Sequence, residues 1–372
     1  MDGAVQTKPG YRLAAGELVH IDYPAPAPQQ IIEQQLNFDV EILYEDEDLL
    51  VVNKPAGLTV HPAASVKEPT LVDWLKSRGY LLSSLGGELR AGIVHRLDKL
   101  TSGALLVAKN NATHAALSAQ LSDKSMGRIY LALIDLPLKE PCVIERPISR
   151  NPANRLKMGI VPGGRSAKSA FYEILSGAEL SELQNSAERC DKILSTSASD
   201  STAAGKSAGA DEILNNRADN ADKILTAKMS ANETRAARLA ENKFLNFKNP
   251  AQNYKLPPIN LKSFNLVAAK LFTGRTHQIR VHLSSINRHI LGDHLYGFKS
   301  ENAKISRILL HAYLLYFIHP RSGKEVKICA GLPSEFLNFT TNQKVKDGIY
   351  EKILPTNVER YFSDTSGWLR YV

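Results

Sequence analysis

Apolar positions recur in short runs over two long stretches of the chain and thin out between and around them. From Phe38 to Leu175 the runs are strand-like: Val40–Tyr44, Leu49–Asn53, Gly92–Val94, Ala104–Ala108, Ile129–Ile134 and Ala170–Leu175. Such runs, bounded by Gly, Pro, Asn and Asp, are the mark of buried strands and turns. Two segments of helical character interrupt them. Thr70–Arg78 reads as a short helix, and Asn111 is placed to cap another that carries Ala116, Leu117 and Leu121 at helical spacing. The texture resumes with a strand from Phe264 to Phe272 and a helix capped by Thr276, with Ile279, Leu283 and Ile286 on one face. A long strand, Ile308–Ile318, then turns through His319–Gly323 into Glu325–Ile328. Strands joined by short turns, with few helices, predict an α+β fold: a mixed, mainly antiparallel central sheet with flanking helices.

Three segments depart from this pattern. Residues 178–255 are rich in Ala, Ser, Asn, Asp and Lys and poor in apolar bulk, and the echoes Asp191–Leu194, Asp211–Leu214 and Asp222–Leu225 are too irregularly spaced for a solenoid. A low-complexity surface insertion, partly unstructured and with a helical run from Ala231 to Phe247, is the expectation there. Residues 1–22 hold a strand-and-turn pattern from Tyr11 to Asp22, residues 23–35 form a Pro-rich linker, and the main domain spans 36–343. The remaining residues, 344–372, read as an aromatic and charged tail with no assignable role.

Composition narrows the classes. A net charge of +8 and a pI of about 9.2 suit a polyanionic partner, since Lys and Arg on phosphates release counterions. Cys142, Cys190 and Cys329 match no zinc spacing and no disulfide framework. No signal-like apolar region or membrane-length run is present, which predicts a cytoplasmic protein. Glycine-rich phosphate loops, nucleophile elbows and metalloprotease motifs are missing too, so neither a nucleotide cofactor nor a metal is expected.

Four constellations could carry chemistry. Asp98 lies in a loop with His95, Arg96 and Lys99 around it. Neighbouring cations favour its ionised form, which could act as nucleophile, general base or stabiliser of a developing cation. Taken alone, the same pattern fits a turn aspartate bonded to local backbone. Phe272–His282 gathers Arg275, His277, Arg280 and His282 around a helix start, a setting for anions or for an Arg–carboxylate pair, or simply a solvated basic face. Asn53–Pro62 holds Lys54 and His61 about a rigid turn that could line a cleft or merely join strands. Tyr130, the one polar side chain in its strand, could stack on a base or serve as a core tyrosine.

Their order decides between these readings. Gly92–Asp98 followed by Thr101–Gly103 and Leu106–Lys109 resembles the signature of the RluA-type pseudouridine synthases. Asn53–Gly57, Tyr130 after Arg128, Gly274–His282, Leu291–Asp293 and His319–Pro320 match further motifs of that family, covering roughly 38–177 and 260–335. The resemblance implies a synthase that flips a uridine out of structured RNA and isomerises it, without cofactor, around an essential aspartate. By residue, it implies Asp98 as that aspartate, Arg280 as its ion-pair partner and Tyr130 against the flipped base. It gives Arg96 as the arginine entering the RNA and Ile279 as an apolar wall, with Arg275, His95 and Lys54 as further substrate contacts. It further implies a monomer acting on ribosomal RNA of the large (23S) subunit, or on transfer RNA. Residues 1–22 then look like the remnant of an S4-like RNA-binding module. Two other functions stay open from sequence: an RNA-binding assembly protein that keeps the fold, and an N-glycosidase of free nucleosides. The full set Asp98, Tyr130 and Arg280 speaks against the first, and Arg96 with the basic balance against the second.

Overall fold

The computed structural model describes residues 14–18, 36, 38–64, 66–200, 265–297, 305 and 307–363. By contacts the chain divides into Met1–Asn37 and Phe38–Val372. Of the first unit only a turn is described, in which the Glu17 carboxylate accepts the Ala14 amide. The strand expected over Tyr11–Asp22, the linker and the helical run Ala231–Phe247 lie largely or wholly outside the described residues.

The second unit is built on a nine-stranded sheet, counted among the described residues. Its strands are β1 (Glu41–Glu45), β2 (Leu49–Lys54), β3 (Ser102–Ala108), β4 (Gly127–Ile134), β5 (Cys142–Glu145), β8 (Lys168–Leu175), β9 (Asn265–Leu271), β10 (Leu310–Ile318) and β11 (Glu325–Cys329). A separate hairpin joins β6 (Ile148–Arg150) to β7 (Met158–Ile160). The sheet order is β1-β2-β3-β10-β4-β9-β8-β5, with β11 also on β10. Every pairing is antiparallel except β3 with β10. This is the mixed, mainly antiparallel α+β sheet expected from the apolar pattern.

The parallel join is one of the places where the N- and C-terminal halves of the chain meet. Gly103, at φ 113°, lies directly against the backbone of Ala312, and a side chain there would collide with it. Thr101–Gly103 therefore does not supply the expected turn, because Ser102 and Gly103 already belong to β3. Nor is Gly92–Val94 a strand. Gly92 takes φ 72° and packs on Ala108, and only Ile93 bridges to Val107.

Helix α1 (Leu71–Ser77) starts in a capping box between Thr70 and Asp73. Helix α2 (Asn111–Asp123) is capped one residue earlier than expected, by Asn110, while Asn111 accepts from Ser83 and Ser84 instead. Helix α3 (Gly177–Asp200) corrects the expected insertion boundary at 178, since its Leu180 and Ala187 enter the main core. The supposed tail is likewise structural over its described residues, 344–363. Helices α5 (Gln343–Lys352) and α6 (Pro355–Arg360) bury Val345, Ile349 and Val358 in that same core, joined by Ile353 and Phe362 just after them. The short helix α4 (Gln278–Ser284) carries the second basic constellation. No described helix is long and apolar enough to cross a membrane.

Two of the buried histidines bond strand residues of this framework. His311 bonds Ser102 across the parallel join, and His282 bonds Ser169. Burial pushes His311 down to about 3 and His282 down to about 4. In the unfolded chain both titrate near 6.5 (approximately). Between the folded and unfolded values the unfolded chain binds more protons, so stability falls as pH falls through that window. Urea unfolding from pH 7 towards pH 5 should lose up to roughly 2.7 kcal/mol per pH unit from the pair. A stability independent of pH over that range would contradict it.

Candidate active site

Asp98 sits in a turn closed by the Thr101 amide on its carbonyl, just before β3. From behind, Lys54 fixes that turn. Its fully buried ammonium reaches the carbonyls of Pro55, Leu58 and Lys99 at 2.8, 2.8 and 3.1 Å, and the Gly57 amide also bonds Lys99 O. Burial pushes the Lys54 amine down to about 7, while three carbonyl acceptors call for all three of its protons. Lys54 does not line the cavity in front of Asp98. Its expected role as a substrate contact is therefore corrected to a support for the loop.

Arg280, on α4, reaches Asp98 Oδ2 with Nη1 at 3.3 Å and grips Asp293 at 2.7 and 2.9 Å with Nε and Nη2. Burial opposes its charge, but Asp293 and Asp98 hold its pKa above the ordinary value. His277 approaches the same Oδ2, its Nε2 at 3.8 Å. It takes the left-handed conformation, φ 56°, at the cap of α4 with no side-chain cap bond. Thr276 is thus not the cap expected from sequence. Gln278 instead ties the loop, its Oε1 accepting from Thr273 Oγ1 and the Arg275 amide.

Asp98 opens on a cavity of about 350 Å³, within the range of small-ligand pockets. Its wall brings together Arg96, Tyr130, Arg275, His277, Ile279 and Arg280. Tyr130 is buried on β4, and burial raises its phenol pKa, keeping it protonated. Ile279 and Leu97 supply apolar surface, and Arg96 stands exposed at the rim. Arg275 is anchored by its Nε to the Ser166 carbonyl. His95 also lines the wall, but its Nε2 accepts the Leu106 amide, and burial pushes it down to about 3. It is a neutral brace for β3 rather than a cation for substrate. His95 Nδ1, Thr101 Oγ1 and Arg128 Nε are buried here without a protein hydrogen bond, an arrangement that a polar ligand would relieve.

The cavity can hold one planar ring against Tyr130 and Ile279, with one carboxylate at its side and cations at its mouth. Such a site suits a base taken out of a charged polymer.

A family model described as RNA pseudouridylate synthase matches residues 48–285. The chain belongs to the RNA pseudouridine synthases. An "uncharacterized RNA pseudouridine synthase" of Helicobacter pylori strain J99 is 38% identical over 346 residues, covering 92% of this chain and 82% of the relative. The "ribosomal large subunit pseudouridine synthase D" of Zymomonas mobilis is 33% identical over 341 residues, covering 90% and 81%. That of Pseudomonas aeruginosa is 29% identical over 349 residues, covering 91% and 81%. The synthase is therefore an isomerase acting on RNA.

Sequence reading had gathered Asp98, Tyr130, Arg96, Arg275, Ile279 and Arg280, and the fold brings all six to one cavity. It gave no role to Arg128, Asp293 or Tyr296, only a turn to Thr101, and counted His277 only as part of a basic cluster. The one available signal was that Thr101, Arg128, His277 and Asp293 fall inside the quoted motifs.

Replacing Lys54 by Met tests the loop support. It strands the carbonyls of Pro55 and Leu58 and removes one of the two donors on Lys99 O, which should cost about 3 kcal/mol of unfolding free energy in urea. An unchanged midpoint would show that Lys54 supports nothing.

Proposed function

We propose that the synthase isomerises uridines in large-subunit ribosomal RNA, with Asp98 as the catalytic carboxylate. The observation that carries this is the convergence of Arg280 and His277 on Asp98 Oδ2 at the edge of a base-sized cavity. The ribosomal substrate is supported by the names of two relatives and by the basic balance of the chain.

Chemically, the C1′–N1 bond breaks, the uracil turns, and C1′ bonds to C5. The C5 hydrogen leaves and N1 gains a proton, so no redox partner is needed. The flip costs a few kcal/mol in lost stacking (an order-of-magnitude figure), offset by contacts within the pocket. Arg96 at the rim is placed to fill the gap left in the RNA. Tyr130 offers its ring to the face of the base and its hydroxyl to a polar edge. Beside them, Asp98 acts at the sugar or at the base, paired with and aimed by Arg280. Arg275 closes the wall near phosphate.

Site-resolved pseudouridine mapping of total RNA, with and without the gene, tests the substrate. Loss of modification at one or a few large-subunit uridines, restored by the wild-type gene, is expected. Loss confined to transfer RNA would replace the substrate, and an unchanged map would overturn the reading.

A further inference from the structure

The segment Leu291–Gly297 contributes nothing to the cavity wall, yet two of its side chains reach the site from behind. Asp293 is buried and takes Arg280 through two parallel hydrogen bonds, the strongest geometry for that pair. The same carboxylate accepts the amides of Leu295 and Tyr296 at 3.0 and 3.1 Å, so its own turn fixes its direction. Gly292 permits the turn. It takes φ 76° directly against the backbone of Arg307, where a Cβ has no room.

Tyr296 works on the neighbouring group. The Arg280 guanidinium lies 4.9 Å from its ring centre. Its oxygen accepts the Met158 amide at 2.7 Å, and His277 Nδ1 lies 2.9 Å from that oxygen. With the amide on the oxygen, the phenol proton is free to be donated to Nδ1. The imidazole proton is then on Nε2, the nitrogen that faces Asp98. Burial lowers the His277 pKa and pushes the Tyr296 phenol up to about 12, which keeps both groups neutral. The left-handed backbone of His277 is a local cost of the kind that collects at functional sites.

A guanidinium and an imidazole, each held from behind by one short segment, thus meet a single carboxylate oxygen. We infer that Asp293 and Tyr296 are positioning residues for the reaction. Acting through Arg280 and His277, they hold Asp98 by Oδ2 and leave Oδ1 for the substrate. This rests on the reading of Asp98 as the catalytic carboxylate.

Single-turnover pseudouridine formation, with total RNA from cells lacking the gene as probe, tests it in the full-length protein. Asp293→Asn and Tyr296→Phe should each slow the reaction by roughly 10- to 100-fold at saturating enzyme, the usual effect of removing an outer support. The enzyme concentration for half-saturation should move less than about twofold, since neither residue meets RNA. Tyr296→Phe keeps the ring but loses the Met158 and His277 hydrogen bonds, so it should stay folded and melt only a few degrees (roughly) below wild type. Combined with His277→Ala, it should slow the reaction no further than His277→Ala alone, because its route runs through that imidazole. Additive losses in the pair would overturn the route from Tyr296. Wild-type rates in both single variants, with Asp98→Ala inactive, would overturn the positioning role alone. An active Asp98→Ala would instead overturn the reading beneath it.

Discussion

One guanidinium shared between two carboxylates is the interaction on which the site depends. Arg280 spends two nitrogens on buried Asp293 and turns the third to Asp98. The three groups come from two distant parts of the chain: Asp98 from a turn before β3, Arg280 and Asp293 from the helix α4 and the turn that follows it. A charge trio of this kind is costly to bury unless every member is bonded, and here the bonds also set direction. Asp98 remains partly accessible at the cavity, while Asp293 is sealed. The electrostatic support therefore lies behind the carboxylate, and the solvent side is left to RNA.

The rest of the fold can be read as what holds that trio together. The only parallel join among the described strands, β3 with β10, ties the Asp98 loop to the C-terminal half, and the bare backbone of Gly103 allows the approach. Lys54 closes the loop from inside with three carbonyl bonds. His95 and Gln278 do similar work on the two flanks, one accepting a strand amide and the other a loop amide. A loop aspartate in the sequence becomes a fixed group because the backbone around it is pinned at several points.

Much of this was legible in the sequence, and the exceptions have physical causes. Apolar runs marked β2, β4, β9 and β10 because buried strands carry little else. Gly92–Val94 shares that composition but is irregular, since the positive φ of Gly92 breaks the pairing. The cap of α4 was misread because His277 adopts a conformation that residue type seldom takes. The 344–372 segment looked like a tail because its apolar residues are sparse and interleaved with charge, although Val345, Ile349 and Val358 bury one face of each helix. Within the site, motif order picked out Asp98, Arg280 and Tyr130. It gave Lys54 and His95 to the substrate, whereas both are sequestered by backbone groups that only the folded chain supplies. The second carboxylate and the Tyr296–His277 contact depend on side-chain direction, which spacing in a sequence does not encode.

The central claim is that Asp98 performs the chemistry rather than merely shaping the loop. Release of the C5 hydrogen as tritiated water from RNA carrying 5-tritiated uridine measures it directly, because each isomerisation frees one such atom. The account predicts that Asp98→Asn, which preserves the size of the side chain, abolishes the release while leaving RNA affinity close to wild type. Release by Asp98→Asn at the wild-type rate would contradict it.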